Sequence, residues 1–250
     1  MTQDDPGPAA SVEGKVVIVT GASRGIGRAC VVALAEAGAR VTAVARSEEQ
    51  LECLADSLAG SDVRAVVADV GVPEDNERMV AETLDSFGRV DVAIANAGIE
   101  TSARVAASDP QEWIATLTTN AVGSYLTARA VLPPMRDNGG GQILFVGSGV
   151  GHTPAFGLSA YGASKAAVSH LSATLAQEVW RWGIDVNELV PGPVATDMTQ
   201  GRFEVGQPPE HLPSERVKAP EAVASFVVDL LRLGPGGPTG QVFSLARRPL

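Results

Sequence analysis

Short, nearly continuous runs of β-branched and aliphatic residues alternate along this chain with longer stretches whose apolar positions recur every three to four residues. The first kind reads as buried strand and the second as amphipathic helix. "KVVIVTGAS" is a strand ending at glycine, and "RGIGRACVVALAEAGA" is the helix after it, with glycine near its end where a helix stop belongs. "RVTAVARS" then reads as a second strand and "EEQLECLADSLAG" as a second helix ending at Gly60. That completes one βαβ unit within the roughly 30 residues such a unit takes. The alternation continues through strand "VRAVVADV", helix "PEDNERMVAETLDSFG", strand "VDVAIANAG" and a long helical segment from about Pro110 to Met135. Next come strand "GQILFVGS", a long helix from about Ser159 to Trp182, strand "IDVNELVPG", a polar loop, helix "APEAVASFVVDLLRL" and a last strand "GQVFSL". Strands apolar on both faces, each followed by a helix, predict a parallel sheet covered on both sides. With no large interruption, they predict a single doubly wound α/β domain over residues 14–250. A closed barrel of eight βα units is the architectural rival, and the glycine-rich first turn favours the open sheet.

Composition narrows the partners. At 250 residues and 45% hydrophobic content the chain can bury a sizeable core. Its 19 Lys and Arg against 29 Asp and Glu leave a net charge of −10, which opposes binding to nucleic acid or anionic membrane. No apolar run approaches the roughly 18 residues of a membrane helix. Cys30 and Cys53 stand alone without a CxxC motif or a neighbouring ligand His; neither a metal site nor a disulfide framework is expected, and a reducing cytoplasm fits. The opening "MTQDDPGPAASVEG" is acidic and rich in Pro, Gly and Ala. It lacks the basic start and apolar run of a signal peptide, so residues 1–13 read as a disordered leader.

"TGASRGIG" places Gly21, Gly25 and Gly27 between the first strand and first helix. A tight turn there lets a pyrophosphate approach the helix N-terminus, whose free N–H groups and dipole favour an anion; a merely structural turn is the other reading. Ser23, Arg24 and Ile26 share this loop. At the end of the second strand, where a carboxylate would bind the adenosine ribose of NAD, the chain carries Arg46. Arg24 and Arg46 converging on a 2′-phosphate select NADP(H), unless both are solvated surface arginines.

In "SAYGASK", Tyr161 and Lys165 lie four apart, on one face of a helix with small neighbours that leave room for a ligand. Such a pair alone is commonly just a surface contact. Here it comes in order with "TGASRGIG", "ADV", "ANAG", an Asn in the fourth helix, a Ser after the fifth strand and "PGPVAT". Over nearly its whole length the chain thus resembles the short-chain dehydrogenase/reductase family, a Rossmann-fold group, and within it the 3-oxoacyl-ACP-reductase-like members. The resemblance implies a catalytic tetrad of Asn120, Ser148, Tyr161 and Lys165. Tyr161 would give a proton to the alkoxide formed by hydride transfer, and Lys165 would stabilise the phenolate and hold the nicotinamide ribose. Ser148 would bond the substrate oxygen, and Asn120 would fix a water leading protons toward Lys165.

The same resemblance implies further cofactor contacts. Asp69 and Val70 would flank the adenine, and Asn96, Ala97 and Gly98 would form the loop after the fourth strand. Pro191, Gly192, Val194 and Thr196 would bind the carboxamide, with Val194 offering backbone groups and Thr196 its hydroxyl. Two departures stand out: Ala95 replaces the usual first Asn of its loop, and the chain ends "TGQVFSLARRPL" rather than in a "DGG" segment. "GHTPAFGL" is expected to line the substrate pocket, with His152 and Phe156 as contacts. The segment from about Asp197 to Pro213 is expected to form a lid anchored by Phe203 and Val205. Trp113, Trp180 and Trp182 belong either to a two-fold interface of a homo-oligomer or to the core. The expected activity is NADPH-dependent reduction of a small-molecule ketone or β-keto acyl compound. The alternatives are alcohol oxidation with NAD(P)+ and a non-catalytic NADP-binding regulator.

Overall fold

The computed structural model describes residues 11–199, 201–210, 212–248 and 250. Seven parallel strands form one sheet in the order β3-β2-β1-β4-β5-β6-β7. They are β1 (Val16–Thr20), β2 (Arg40–Ala45), β3 (Val63–Val67), β4 (Val92–Ala95), β5 (Gly141–Val146), β6 (Ile184–Val190) and β7 (Val242–Ser244). The sheet is open at β3 and β7, so the barrel alternative does not apply. The inner strands β1, β5 and β6 are buried throughout, whereas the edge strand β3 has one buried position and β7 none. Burial on both faces is why β1 reads as a continuous apolar run, although β6 carries Asp185, Asn187 and Glu188.

Helices α1 (Gly25–Glu36), α2 (Glu48–Ser57) and α7 (Pro220–Leu231) pack on one face through Leu34, Leu51, Leu54 and Val227. Helices α3 (Pro73–Phe87), α5 (Gly123–Asp137) and α6 (Ser159–Val179) cover the other through Met79, Val131, Met135, Val168 and Leu175. Each fully buried aliphatic side chain stabilises the fold by about 1.5–3 kcal/mol relative to leaving it in water. Pro73 and Pro220 open their helices at the position where a missing N–H costs nothing. Gly88, at φ +78°, ends α3 in the left-handed region.

Three local expectations change. The segment predicted as one helix from Pro110 is α4 (Pro110–Leu117), a π turn at Thr118–Val122, and then α5. The helix predicted to reach Trp182 ends at Val179 and continues as one 3₁₀ turn, leaving Trp180 57% and Trp182 40% exposed rather than in the core. The leader boundary also moves: Val12 is buried in the core against the α1 layer, and the Gly14 amide donates to the Gly38 carbonyl. The domain therefore reaches back at least to Val12, an isolated apolar residue that carried no periodic signal; residues 1–10 lie outside the described residues. Among the described residues, no helix is long and apolar enough to cross a membrane.

Candidate active site

The turn from β1 into α1 opens a cleft of about 300 Å³ at the carboxyl ends of the strands. Gly21 sits at φ +66°, and a Cβ on Gly27 would collide with the Gly21 carbonyl oxygen, so both positions require glycine. Arg24, the N-cap of α1, is extended and makes no side-chain capping bond. The first N–H groups of α1 thus remain available to an anion. Asn96 secures the turn: its Nδ2 donates to the Thr20 carbonyl at 2.9 Å and the Gly21 carbonyl at 3.3 Å. A narrow glycine cradle beside an uncapped helix N-terminus fits a dinucleotide pyrophosphate.

Gly21, Ser23, Arg24, Gly25, Ile26, Arg46, Asp69, Val70, Asn96, Ala97, Gly98 and Thr196 all line this cleft. Gly27 lies buried beneath the turn, holding α1 against it. At the far end Arg46 Nη1 faces Asp69 Oδ2 at 3.7 Å, with both side chains well exposed to solvent. Sequence reasoning missed Ser47, Gln50, Ile99, Thr119, Asp197 and Met198, which also line the cleft. Most of them stand within a few residues of a motif already singled out, and that adjacency was the available signal. Pro191, Gly192 and Val194 do not line the cleft. Val194 packs its side chain into the α1–α7 core while bridging to Lys218. The bridge uses the Pro193 carbonyl and the Ala195 amide, so the amide and carbonyl of Val194 itself point away from Lys218. Ala95 is buried at the end of β4, in an apolar surrounding that would leave an Asn side chain short of partners.

The four tetrad positions gather beside this cleft. Ser148 follows β5, Tyr161 and Lys165 lie on α6, and Asn120 sits in the π turn. Lys165 is buried; its Nζ donates to the Val146 carbonyl at 2.7 Å and lies 5.8 Å from the Tyr161 ring centroid. Asn120 is fully buried, with Nδ2 donating to the Ile99 carbonyl and Ser164 Oγ, each at 2.9 Å, and Oδ1 accepting from the Ile99 amide. Its own carbonyl accepts from Ser124 Oγ at 2.6 Å. Asn120 therefore ties the loop after β4 to α6. A Cβ on Gly98 would lie 3.3 Å from Asn120 Oδ1 and 3.7 Å from Lys165 Nζ, so this loop joins the cleft to the tetrad.

Burial pushes the Tyr161 phenol up to about 12, a hydrogen bond with Ser148 opposes that, and Glu100 adds to it. Burial also pulls the Lys165 ammonium down to about 8, while the Glu188 carboxylate draws it back up. The phenol thus holds its proton firmly at neutral pH. Among the described residues, no group of three His, Cys, Asp or Glu side chains is placed to hold a metal ion.

The substrate side is less as expected. His152 is mostly buried, with Nε2 3.1 Å from Glu188 Oε1. Phe156 is 83% exposed beneath the Arg104 guanidinium. Of the two lid anchors, Phe203 is half-buried but Val205 is 54% exposed; Thr199 and Pro209 are buried in that stretch. Val205 stays out because backbone bonds of its neighbours to Val217 already hold the segment. Gln200 and His211 of the lid lie outside the described residues. The unusual C-terminus folds back: the Arg247 amide donates to Glu215 Oε2, and Arg248 Nε lies 3.3 Å from the fully buried Glu215 Oε1. A Cβ on Gly149 would meet Arg248 Nη2 at 3.2 Å, so this tail reaches the catalytic loop.

The sequence profile described as short chain dehydrogenase matches residues 15–205. A 3-oxoacyl-(acyl-carrier-protein) reductase FabG of Vibrio cholerae serotype O1 is 36% identical over 222 residues, covering 88% of this chain and 91% of that protein. The protein of the same name from Escherichia coli K12 is 37% identical over 188 residues, covering 75% of this chain and 77% of its own length. A crystal structure of a short-chain type dehydrogenase/reductase from Mycobacterium marinum superposes with a TM-score of 0.82 at 29% identity, covering 94% of this chain and 95% of that one.

Proposed function

Given that the chain belongs to the short-chain dehydrogenase family, and so to the NAD(P)-dependent oxidoreductases acting on CH–OH or C=O groups, we propose that it reduces a β-keto acyl or related ketone with NADPH. The observation that carries this reading is the convergence of Ser148, Tyr161 and Lys165 beside the glycine cradle. The names of the curated relatives support the substrate class. Arg24 and Arg46, both exposed on the rim of the cleft, support recognition of a 2′-phosphate.

The side chains divide the work. The Ser148 hydroxyl donates to the carbonyl oxygen and holds it beside the phenol. A reduced nicotinamide bound in the cleft supplies the hydride. As charge builds on the oxygen, Tyr161 passes its proton to it, and the buried Lys165 ammonium offsets the phenolate left behind. Hydride and proton together convert C=O to CH–OH. Asn120 keeps the Gly98–Ile99 loop against α6, and a water on its carbonyl would restore the proton. We also take the chain to assemble as a homo-oligomer through the exposed Ile114, Val122 and Tyr125 on α4, the π turn and α5; sedimentation at a monomer's rate would refute this.

Assaying ketones, quinones and β-keto thioesters with NADPH tests the reading. Turnover of at least one carbonyl class is expected, and Tyr161→Phe is expected to lose at least about 1000-fold in kcat/KM while binding NADPH as before. Undiminished turnover by Tyr161→Phe rejects the assignment.

A further inference from the structure

Glu188 lies in β6, a strand of seven buried residues, with Val186 and Val190 as its neighbours on the same face of the strand. A third aliphatic residue there would serve packing without desolvating a charge. The side chain is 1% exposed, with Oε1 3.1 Å from His152 Nε2. Oε2 is buried without a hydrogen-bond partner among the described residues. The strand register sets Glu188 opposite Phe145 of β5, and the carboxylate lies so close to Gly147 that any Cβ there would collide with Oε1. The acid therefore sits directly against the segment Val146–Gly147–Ser148. The Val146 carbonyl holds the Lys165 ammonium, and Ser148 belongs to the tetrad.

From these placements we propose that Glu188, oriented by His152, is a positioning residue whose carboxylate is the counter-charge that keeps Lys165 an ammonium ion. The inference rests on the reductase reading above and adds a residue to it. The groups around both charges support this assignment. Lys165 faces Tyr161 on its own helix, the neutral Asn120 from the π turn and the Val146 carbonyl of β5; the Glu188 carboxylate of β6, set behind Gly147, acts on it through its charge and not as a paired ion. Glu100 acts on Tyr161, and Glu188 is the carboxylate whose charge raises Lys165. Against Glu188 stand His152, from the turn after β5, and the Gly147 backbone next to the carbonyl that holds Lys165. The His152 Nε2–H donates to Oε1 and fixes the carboxylate. The acid takes no part in proton or hydride transfer.

The test compares the full-length wild type with Glu188→Gln, which keeps the size of the side chain and its bond to His152. Lysine is labelled with ¹³C at Cε, and Lys165 is assigned by the resonance missing from Lys165→Met. Its titration midpoint is expected near 8 in the wild type and about one pH unit lower in Glu188→Gln. With NADPH and an active carbonyl substrate, the alkaline limb of kcat/KM is expected to move down by the same amount, with the plateau at lower pH largely retained. An unmoved Lys165 midpoint in folded Glu188→Gln overturns the inference. Glu188→Asp retains the charge one methylene further back and should move the midpoint less; an effect equal to that of Gln also counts against it. Because the titration needs no turnover, absence of activity in the wild type would reject the reductase reading separately.

Discussion

A buried ammonium beside a half-buried phenol makes pH the most direct probe of individual residues here. The proposed mechanism requires Lys165 charged, and its ammonium is pulled down to about 8. kcat/KM for carbonyl reduction is therefore expected to fall as pH rises through about 8, measured with NADPH held saturating. Stability follows the same groups through linkage. Lys165 is held below its ordinary value of 10.5, so the unfolded chain binds more protons between about 8 and 10.5 and stability rises with pH across that window. Tyr161 acts oppositely: the native phenol keeps its proton up to about 12, while an unfolded one loses it near 10, so its contribution is lost as pH rises through that window. Denaturant titrations of wild type and Tyr161→Phe should diverge there. At the other end of the cleft, Arg46→Asp places a carboxylate next to Asp69 and removes a cation from the proposed 2′-phosphate position. Affinity for NADPH is expected to drop about 10- to 100-fold, with little loss for NADH, as read by fluorescence titration. Equal losses for both would mean that Arg46 is only a surface residue.

Element geometry explains what the sequence conveyed and what it could not. The glycine turn was legible because its chemistry is local: a Gly27→Ala methyl would strike the Gly21 carbonyl and the Asn96 amide. That change is expected to cost about 1–3 kcal/mol in chemical denaturation and to weaken nucleotide binding; retention of both would show that the turn can shift. Asn120, Ser148, Tyr161 and Lys165 could be picked out because motif order and spacing survive in a linear text; their catalytic roles belong to the proposed function. The π turn around Asn120 was not, since one widened turn barely disturbs the apolar periodicity on either side. Glu188 was present within "IDVNELV", a run read as an ordinary strand, and its meaning depends on strand pairing that brings Gly147 and His152 to it. The C-terminal departure likewise gains a role only in space. Arg248 compensates the fully buried Glu215 and touches the catalytic loop. Arg248→Ala is expected to destabilise the chain by about 1–2 kcal/mol, the partial exposure of the pair reducing the larger cost of an uncompensated buried charge. An unchanged denaturation midpoint would show that the tail merely lies on the surface.

Across the whole molecule, the strand order reverses between β1 and β4, and the cleft opens beside that reversal at the carboxyl ends of the strands. Two α/β layers diverge there, leaving a crevice that neither core fills. The chain carries a net charge of −10, yet places Arg24 and Arg46 on this crevice, so the cations are local exceptions to an acidic whole. Sheet and layers followed from the alternation of apolar runs, because buried parallel strands leave little freedom in what they can contain. The pocket facing the substrate did not, since Phe156 and Val205 project outward under constraints set by distant backbone. The proposed reductase chemistry requires the dinucleotide cradle and the Tyr161 phenol, which lies beside the cleft lining and not in it, to serve one substrate. It is tested most directly by incubating enzyme, β-keto thioester and NADPH deuterated at the transferable position, then locating the label by mass spectrometry. Deuterium at the new carbinol carbon with wild type, and almost none with a Tyr161→Phe variant that still binds NADPH, is the expected result. Equal deuterium incorporation by both proteins, or none by the wild type with any carbonyl supplied, would contradict the account.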